Sequence, residues 1–294
     1  MARTIAVANH KGGVGKTTTT HNLAVALVGR GRRVLVIDAD AQANLTVALG
    51  GAPRELTRDK RTLAHVLAGI TPAAEAIVPG TRRRPALLGA SGALVAVEEV
   101  LVTRDVPPTR LRQMLRPLED DYDYVLLDCA PGVTRVTRNA MCAASRVLVA
   151  TTLDGRSLAG IEALIATVED LAQRHRPGLR PLGIVPTLHD RRHAAQNVRL
   201  LELERRFGRS VPVFAPVART ARMSGEAVSA RSAVEARPSS PTARAYLEIA
   251  RRIDAAHGAD GTLHPDFSAE LAPALEDGTD AHEGADDHEL AATA

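Results

Sequence analysis

The stretch NHKGGVGKTTTT, residues 9–20, limits what this chain can fold into more than any other. It follows the apolar run TIAVA (4–8) and precedes a helical pattern over Thr17–Arg30, so it reads as a turn from a buried strand into a helix. Gly12, Gly13 and Gly15 let successive backbone N–H groups curl into an anion-holding nest, and the helix behind adds its positive end. Lys16 and Thr17 complete the pattern G-x-x-x-x-G-K-[ST], in which the lysine neutralises β and γ phosphates and the hydroxyl takes a Mg²⁺ position. His10 occupies the place of that pattern's first glycine.

Lysine usage sharpens the reading. Only three lysines occur among 37 basic residues, and two of them are Lys11 and Lys16. A compact ammonium fits a phosphate cradle where a planar guanidinium does not. Lys11 does not easily reach from its own loop the phosphates that Lys16 serves, so it needs a second role.

The rest of the chain alternates apolar runs with helical stretches. RVLVID (33–38), after Gly31, completes a βαβ unit. Further buried strands are expected at YVLLD (124–128), RVLVAT (146–151), LGIVP (182–186) and VPVFAP (211–216), with helices over Leu158–His175, His193–Phe207 and Pro241–Ala256. Between 50 and 120 the chain is broken by Arg and Pro, and only ALVAVEEVLV and RLRQMLRPL read as helices there. This alternation predicts an α/β fold, a doubly wound, mostly parallel sheet with helices on both faces, as one domain over residues 1–256. The glycine loop then lies at the carboxyl edge of the sheet, where open α/β folds bind ligands. Acidic residues end strands at the same edge. Asp38 and Asp40, two apart on an extended segment, face one side, and Asp128 closes another strand.

Charge divides the chain in two. Ten of its 34 acidic residues and none of its 37 basic ones fall in 259–294, which leaves 37 basic against 24 acidic residues over 1–258. The body suggests a polyanionic partner, although an Arg-rich surface without a target has the same composition. Residues 257–294, poor in apolar side chains, are expected to form an acidic disordered tail. No apolar run reaches the roughly 18 residues of a membrane span, and MARTIAVANH lacks the layout of a leader, so a cytoplasmic location without membrane attachment is expected. Cys129 and Cys142 are too few and too isolated for a disulfide framework or a metal clip, and are expected as buried thiols.

KGGVGKTT resembles the deviant Walker A motif of the ParA/MinD ATPases. VLVIDADAQANLT (34–46) is similar to that family's IDxDPQxN segment, with Ala41 in place of the usual proline, and YDYVLLDCAPG (122–132) to its Walker B strand and loop, with Ala130 in place of another. The resemblance implies a P-loop fold, ATP and Mg²⁺ as cofactors, and slow basal ATP hydrolysis. It implies Lys11 as a lysine reaching across a nucleotide-sandwich homodimer and Lys16 as the lysine acting on its own nucleotide. Asp40 would position the attacking water, while Thr17, Asp38 and Asp128 would form the magnesium environment. Nucleotide contacts would run over Lys11, Gly12, Gly13, Val14, Gly15, Lys16, Thr17 and Thr18. PTLHD (186–190) resembles the family's PTMYD, which adds Pro186 and Thr187 near the base.

The similarity continues through DRRHAAQNVRLLELERRFG, VARTARMSGEA and PSSPTARAYLEIARRI, which look like ParA/Soj segments and favour ParA over MinD. A MinD-like chain would carry a basic amphipathic helix where this one has an acidic segment. Arg199, Arg205, Arg206 and Arg209 lie along or just after one helix, and Arg219 and Arg222 fall on the family's RNVR arginines. Without interleaved aromatics, in a chain only 2% aromatic, they suit contact with the phosphates of double-stranded DNA rather than stacking on bases. The implied protein is a short ParA-type DNA-segregation ATPase, nucleoid-associated and answering to a ParB-type centromere-binding partner. With the P-loop near residue 10, operator-specific autorepression through a preceding DNA-binding domain is not expected. A ParA-like switch that positions a protein assembly stays open as the alternative, and a metabolic ATP-dependent ligase or kinase would require a second substrate pocket.

Overall fold

Successive side chains of a strand leave on opposite faces, and the apolar runs of this chain use both. The computed structural model describes residues 2–219 and 231–256. Among these, β1 (Arg3–Ala8), β2 (Val34–Ala39), β3 (Ala86–Leu88), β4 (Tyr124–Cys129), β5 (Arg146–Thr152) and β6 (Arg180–Thr187) form one sheet in the order β3-β2-β4-β1-β5-β6. Every neighbouring pair is parallel. The doubly wound α/β fold expected from the sequence is therefore present.

Twelve helices cover the sheet among the described residues: α1 (Lys16–Gly29), α2 (Asn44–Ala48), α3 (Pro53–Arg58), α4 (Leu63–Ala68), α5 (Ala73–Ala76), α6 (Ala93–Thr103), α7 (Arg110–Leu115), α8 (Arg135–Ala143), α9 (Ser157–Arg174), α10 (Ala194–Phe207), α11 (Ala233–Ala236) and α12 (Pro241–Ala255). Two cores result. Ile5 and Val7 of β1, Val34 and Val36 of β2, and Tyr124 and Leu126 of β4 pack with Leu23 and Leu27 of α1 and Tyr246 and Ile249 of α12. Their alternate neighbours, Ala6, Leu35, Ile37, Val125 and Leu127, pack on the other face with Leu63, Leu94, Met141, Ile161 and Leu203. Helix α1 is buried nearly all round because α12 covers its outer side. At the amino edge of the sheet the buried carboxylate of Asp254, at the end of α12, accepts from Arg30 Nε at 3.0 Å, Arg32 Nε at 2.9 Å and Tyr124 Oη at 3.0 Å. Burial pushes that carboxyl up, but the hydrogen bonds from Arg32, Arg30 and Tyr124 outweigh it and hold Asp254 below the usual carboxylate range.

Two expectations change. VPVFAP (211–216) is not a strand. It touches β6 through an isolated bridge between Ile184 and Val213, with Ile184 N donating to Pro212 O and Phe214 N to Ile184 O, each at 2.8 Å. Pro212 and Pro216 have no N–H to give, so a continuous ladder cannot form. The stretch 50–120 also holds more order than its sequence suggests: α3 to α5 and the three-residue strand β3, which pairs with β2 from Leu35↔Ala86 to Ile37↔Leu88. Arg222 and residues 257–294 lie outside the described residues.

Close approach of 211–216 to β6 fixes one glycine. A Cβ on Gly183 would stand 2.5 Å from Phe214 Cε2 and 3.0 Å from Pro212 O. Gly183→Ala is expected to cost about 1–3 kcal/mol by overpacking. Urea unfolding checks this, and an unchanged midpoint would mean that the 211–216 segment is not held against β6.

A candidate phosphate site at the carboxyl edge

Gly13 and Gly15 adopt positive φ, 70° and 80°, the left-handed region that other residues enter at a cost. They turn the chain out of β1 and into α1, whose first turn carries no acidic residue and no side-chain cap. Its N–H groups are thus available to an anion. Side chains outside the loop hold it in place. Buried Asn9 donates to Ala150 O of β5 at 2.7 Å and accepts from Lys11 N at 3.0 Å. Gly132 N, in the loop after β4, donates to His10 O at 3.0 Å. The hydroxyl of Thr187 donates to Val14 O at 2.7 Å and lies 3.0 Å from Thr151 O.

The two lysines point to different surroundings. Lys16 is 6% exposed, and its Nζ donates to Lys11 O at 2.8 Å. Burial lowers its pKa, opposed by the charges of Asp128 and Asp40. The Lys11 side chain is 52% exposed and ion-paired with Asp154, just beyond β5. Asp154 is itself held by Thr152 Oγ1 at 2.6 Å and Arg156 N at 3.1 Å. Burial pushes its carboxyl up, but the hydrogen bonds from Lys11 and Thr152 prevail and hold it low.

Strand register delivers the acids. Asp38 of β2 pairs with Asp128 of β4, which in turn pairs with Val7 of β1. Both carboxylates are buried, and burial raises both pKa values, that of Asp128 further through the charge of Asp38. Asp38 directs its oxygens to the loop beyond β2: Oδ1 accepts from Asp40 N at 3.1 Å, and Oδ2 from Thr46 N at 2.8 Å and Thr46 Oγ1 at 2.7 Å. Asp40 is half-buried at the turn, one oxygen held by Gln42 N at 2.9 Å. Asp128 accepts from Thr20 Oγ1 at 3.4 Å, and the nearby Thr17 hydroxyl works against the rise in its pKa.

Among the described residues, Asp128 Oδ2 is buried with no hydrogen-bond partner. Such an oxygen is costly unless a cation or a donor answers it. Among the described residues no three His, Cys, Asp or Glu side chains converge as a metal cage. That donor set suits Mg²⁺, which keeps several waters and is held by one or two carboxylates together with phosphate oxygens. The residues present therefore fit a magnesium nucleotide.

The structure brings Lys11, Gly12, Gly13, Val14, Gly15, Lys16, Thr17, Thr18, Asp38, Asp40 and Asp128 to one edge. Pro186 and Thr187 end β6 beside them. Thr187 is 1% exposed and its hydroxyl braces the loop, so its part in the site runs through the placement of Val14 and Gly15. The arginines lie on and after α10, with Arg219 N donating to His189 O at 2.9 Å just beyond β6. Arg199 is paired with Glu202 and Arg206 with Glu162 of α9, whereas Arg205, Arg209 and Arg219 are exposed. Three contributors escaped the sequence reading. Thr46 closes the segment VLVIDADAQANLT. Asp154 is an acid just past an apolar strand, the same signal that marks Asp128. Asn9 had no signal beyond adjacency to the loop.

Thr46 also accepts from Ala90 N at 2.8 Å, so its hydroxyl joins β2 to the loop after β3. Thr46→Val strands Ala90 N–H in the interior and takes one of three hydrogen bonds from Asp38, which keeps those from Asp40 N and Thr46 N. A loss of about 2–4 kcal/mol is expected from one stranded donor and one lost hydrogen bond to a buried carboxylate. Chemical denaturation measures it; a loss below about 1 kcal/mol would show that the site does not depend on this hydroxyl.

A family model described as an AAA domain matches residues 2–180. The chromosome-partitioning ATPase Soj of Thermus thermophilus is 36% identical over 253 residues, which cover 85% of this chain and 95% of that one. The chromosome partitioning protein ParA of Caulobacter vibrioides is 34% identical over 253 residues, 85% of this chain and 93% of its own. Among solved structures, cobyrinic acid a,c-diamide synthase from Mycobacterium smegmatis, with bound ADP and magnesium, superposes with a TM-score of 0.74 at 34% identity. It covers 86% of this chain and 94% of that chain.

Proposed function

This chain belongs to the AAA-domain family of ParA/Soj-type P-loop ATPases, and we propose that it is a DNA-segregation switch driven by ATP. ATP with Mg²⁺ closes a sandwich homodimer, the dimer grips double-stranded DNA without regard to sequence, and hydrolysis stimulated by a ParB-type partner releases it. The observation that carries this reading is the opposite setting of two neighbouring lysines. Lys16 is turned into its own cradle while Lys11 stands at the surface, held only by an exposed acid. An exposed ion pair is worth no more than about 1 kcal/mol, so a phosphate brought up by a second subunit can displace Asp154.

Each residue then has a task. Backbone N–H groups of 12–17 receive the phosphates, and Lys16, already stripped of water, holds the β and γ oxygens. Thr17 and Asp128 would hold Mg²⁺, which neutralises charge on the phosphate oxygens when bound. Asp40, fixed by Gln42 N–H, orients the water that attacks the γ phosphorus as the bond to the β-phosphate oxygen breaks. Asp38 holds Asp40 and Thr46 so that this turn keeps its shape. Because Lys11 completes the partner's site, hydrolysis and dimerisation are coupled, and a lone subunit turns over slowly.

Arg205, Arg209 and Arg219 are the arginines best placed for DNA phosphates, and Arg199 and Arg206 join by exchanging weak surface pairs. Arg222 belongs to the same set by sequence. Among the described residues no helix is long and apolar enough to cross a membrane. The M. smegmatis relative bears the name of an amide-forming enzyme, and that match favours ATP-dependent synthesis as a second reading. A synthase that works through a covalent cysteine intermediate needs an activated thiol. Here both cysteines are buried and their pKa values raised, Cys142 to about 11.

Asp40→Ala should bind ATP without hydrolysing it. Its binding to unrelated duplex DNA is expected with ATP·Mg²⁺ and not with ADP·Mg²⁺. For some four phosphate contacts, affinity should fall about a hundredfold between roughly 50 and 200 mM salt. An ATP-bound dimer that ignores DNA would move the search to a protein scaffold, and turnover dependent on a small acid would favour the synthetase. Lys11→Ala should keep the fold and nucleotide binding but lose the ATP-dependent dimer in sedimentation. A dimer surviving that change would remove the cross-subunit role.

A further inference from the structure

A cavity of about 620 Å³ opens at the amino edge of the sheet, across the molecule from the phosphate loop. Arg32 and Arg33 reach it from the turn after α1, and Arg82 and Arg84 from the turn before β3, with Thr81 and Tyr122 between them. The second turn is tightly built. Val78 bridges Leu87, Thr81 bridges Arg84, and Thr81 N donates to Arg84 O at 2.8 Å. A Cβ on Gly80 would stand 2.6 Å from Ala86 N, so only glycine lets the chain fold back here. The tripeptide Arg82-Arg83-Arg84 is thereby presented to solvent on a fixed support.

The charges around the cavity are unequal. Arg33 is paired with Asp123 and Arg32 with Asp254, but no acid pairs with Arg82, Arg83 or Arg84 among the described residues. Among the described residues Asp121 is the one acid in the lining. Guanidinium forks at such a density match carboxylates or phosphates.

The course of the chain favours carboxylates. Helix α12 ends at Ala255, and Asp254 in its last turn already binds Arg32 of the cavity wall. The chain therefore leaves the fold beside the arginines and runs on into 259–294, a segment with ten acidic residues and no Lys or Arg. Tethering places those carboxylates at an effective concentration on the millimolar scale. We propose that residues 259–294 dock in this cavity as the protein's own polyanion, with their Asp and Glu side chains on Arg82, Arg84 and Arg33. Docking there keeps other polyanions off the amino edge, a surface separate from the arginines of α10, and the inference stands whatever the nucleotide site does.

The full chain carrying a nitroxide on Ala281→Cys tests this, since Cys129 and Cys142 are buried and leave the new thiol as the reactive one. At roughly 50 mM salt the backbone amide signals of Arg33, Thr81, Arg82 and Arg84 should lose more than half their intensity, and at roughly 500 mM they should recover as screening shortens. Adding Arg82→Ser and Arg84→Ser, both at exposed positions, should abolish the loss at low salt while leaving the rest of the spectrum in place. Broadening spread evenly over the surface, centred on α10, or unchanged by the two arginine substitutions would overturn the proposal.

Discussion

Parallel pairing of β2 with β4 sets Asp38 against Asp128 in the dry interior, and a buried pair of like charges must be answered by its surroundings. The surrounding residues answer unequally. Thr46 and the N–H of Asp40 satisfy Asp38, and in doing so shape the turn that carries Asp40. Asp128 is answered by Thr17, Thr20 and the charge of Lys16, and still keeps one oxygen without a partner. One register thus divides the acids into a member that builds the loop and a member held ready for a cation.

The phosphate loop depends on the same sheet. Asn9 ties it to β5, Thr187 braces it from the end of β6, and Gly132 joins it to the loop after β4. Three strands hold one loop, so a ligand there meets a preformed cradle and little ordering entropy is left to be lost on binding. Lys11 lies outside this bracing. Its main chain is fixed by Asn9 while its side chain rests on an exposed acid, the arrangement expected of a group that changes partners.

Much of this was legible in the sequence, for physical reasons that differ by element. The loop, Asp38 and Asp128 stood out because long apolar strands and a long helix frame them, and period identifies such elements well. β3 and α2 to α5 were missed because elements of three to six residues are too short to show a period. VPVFAP misled because its apolar content is that of a strand while Pro212 and Pro216 remove the donors a strand needs. Thr187 was legible as a site residue but not as a brace, since only the fold shows where its hydroxyl turns. The pairing of Arg206 with Glu162 was likewise hidden, because the two are distant in sequence, whereas Arg199 and Glu202 stand three apart on one helix, a spacing at which pairing is expected.

The Asp254 clip has a consequence for how the chain is made. The sheet's inner strand β1 leaves the ribosome before its partners, since its neighbour β4 begins at Tyr124 and the helix that covers α1 ends at Ala255. Until that helix emerges, Leu23 and Leu27 of α1 lack part of their cover, and Arg30 and Arg32 lack their carboxylate. Such a chain completes this fold only after α12 has been synthesised. It is during translation, more than afterwards, that apolar surface on α1 invites chaperones or aggregation.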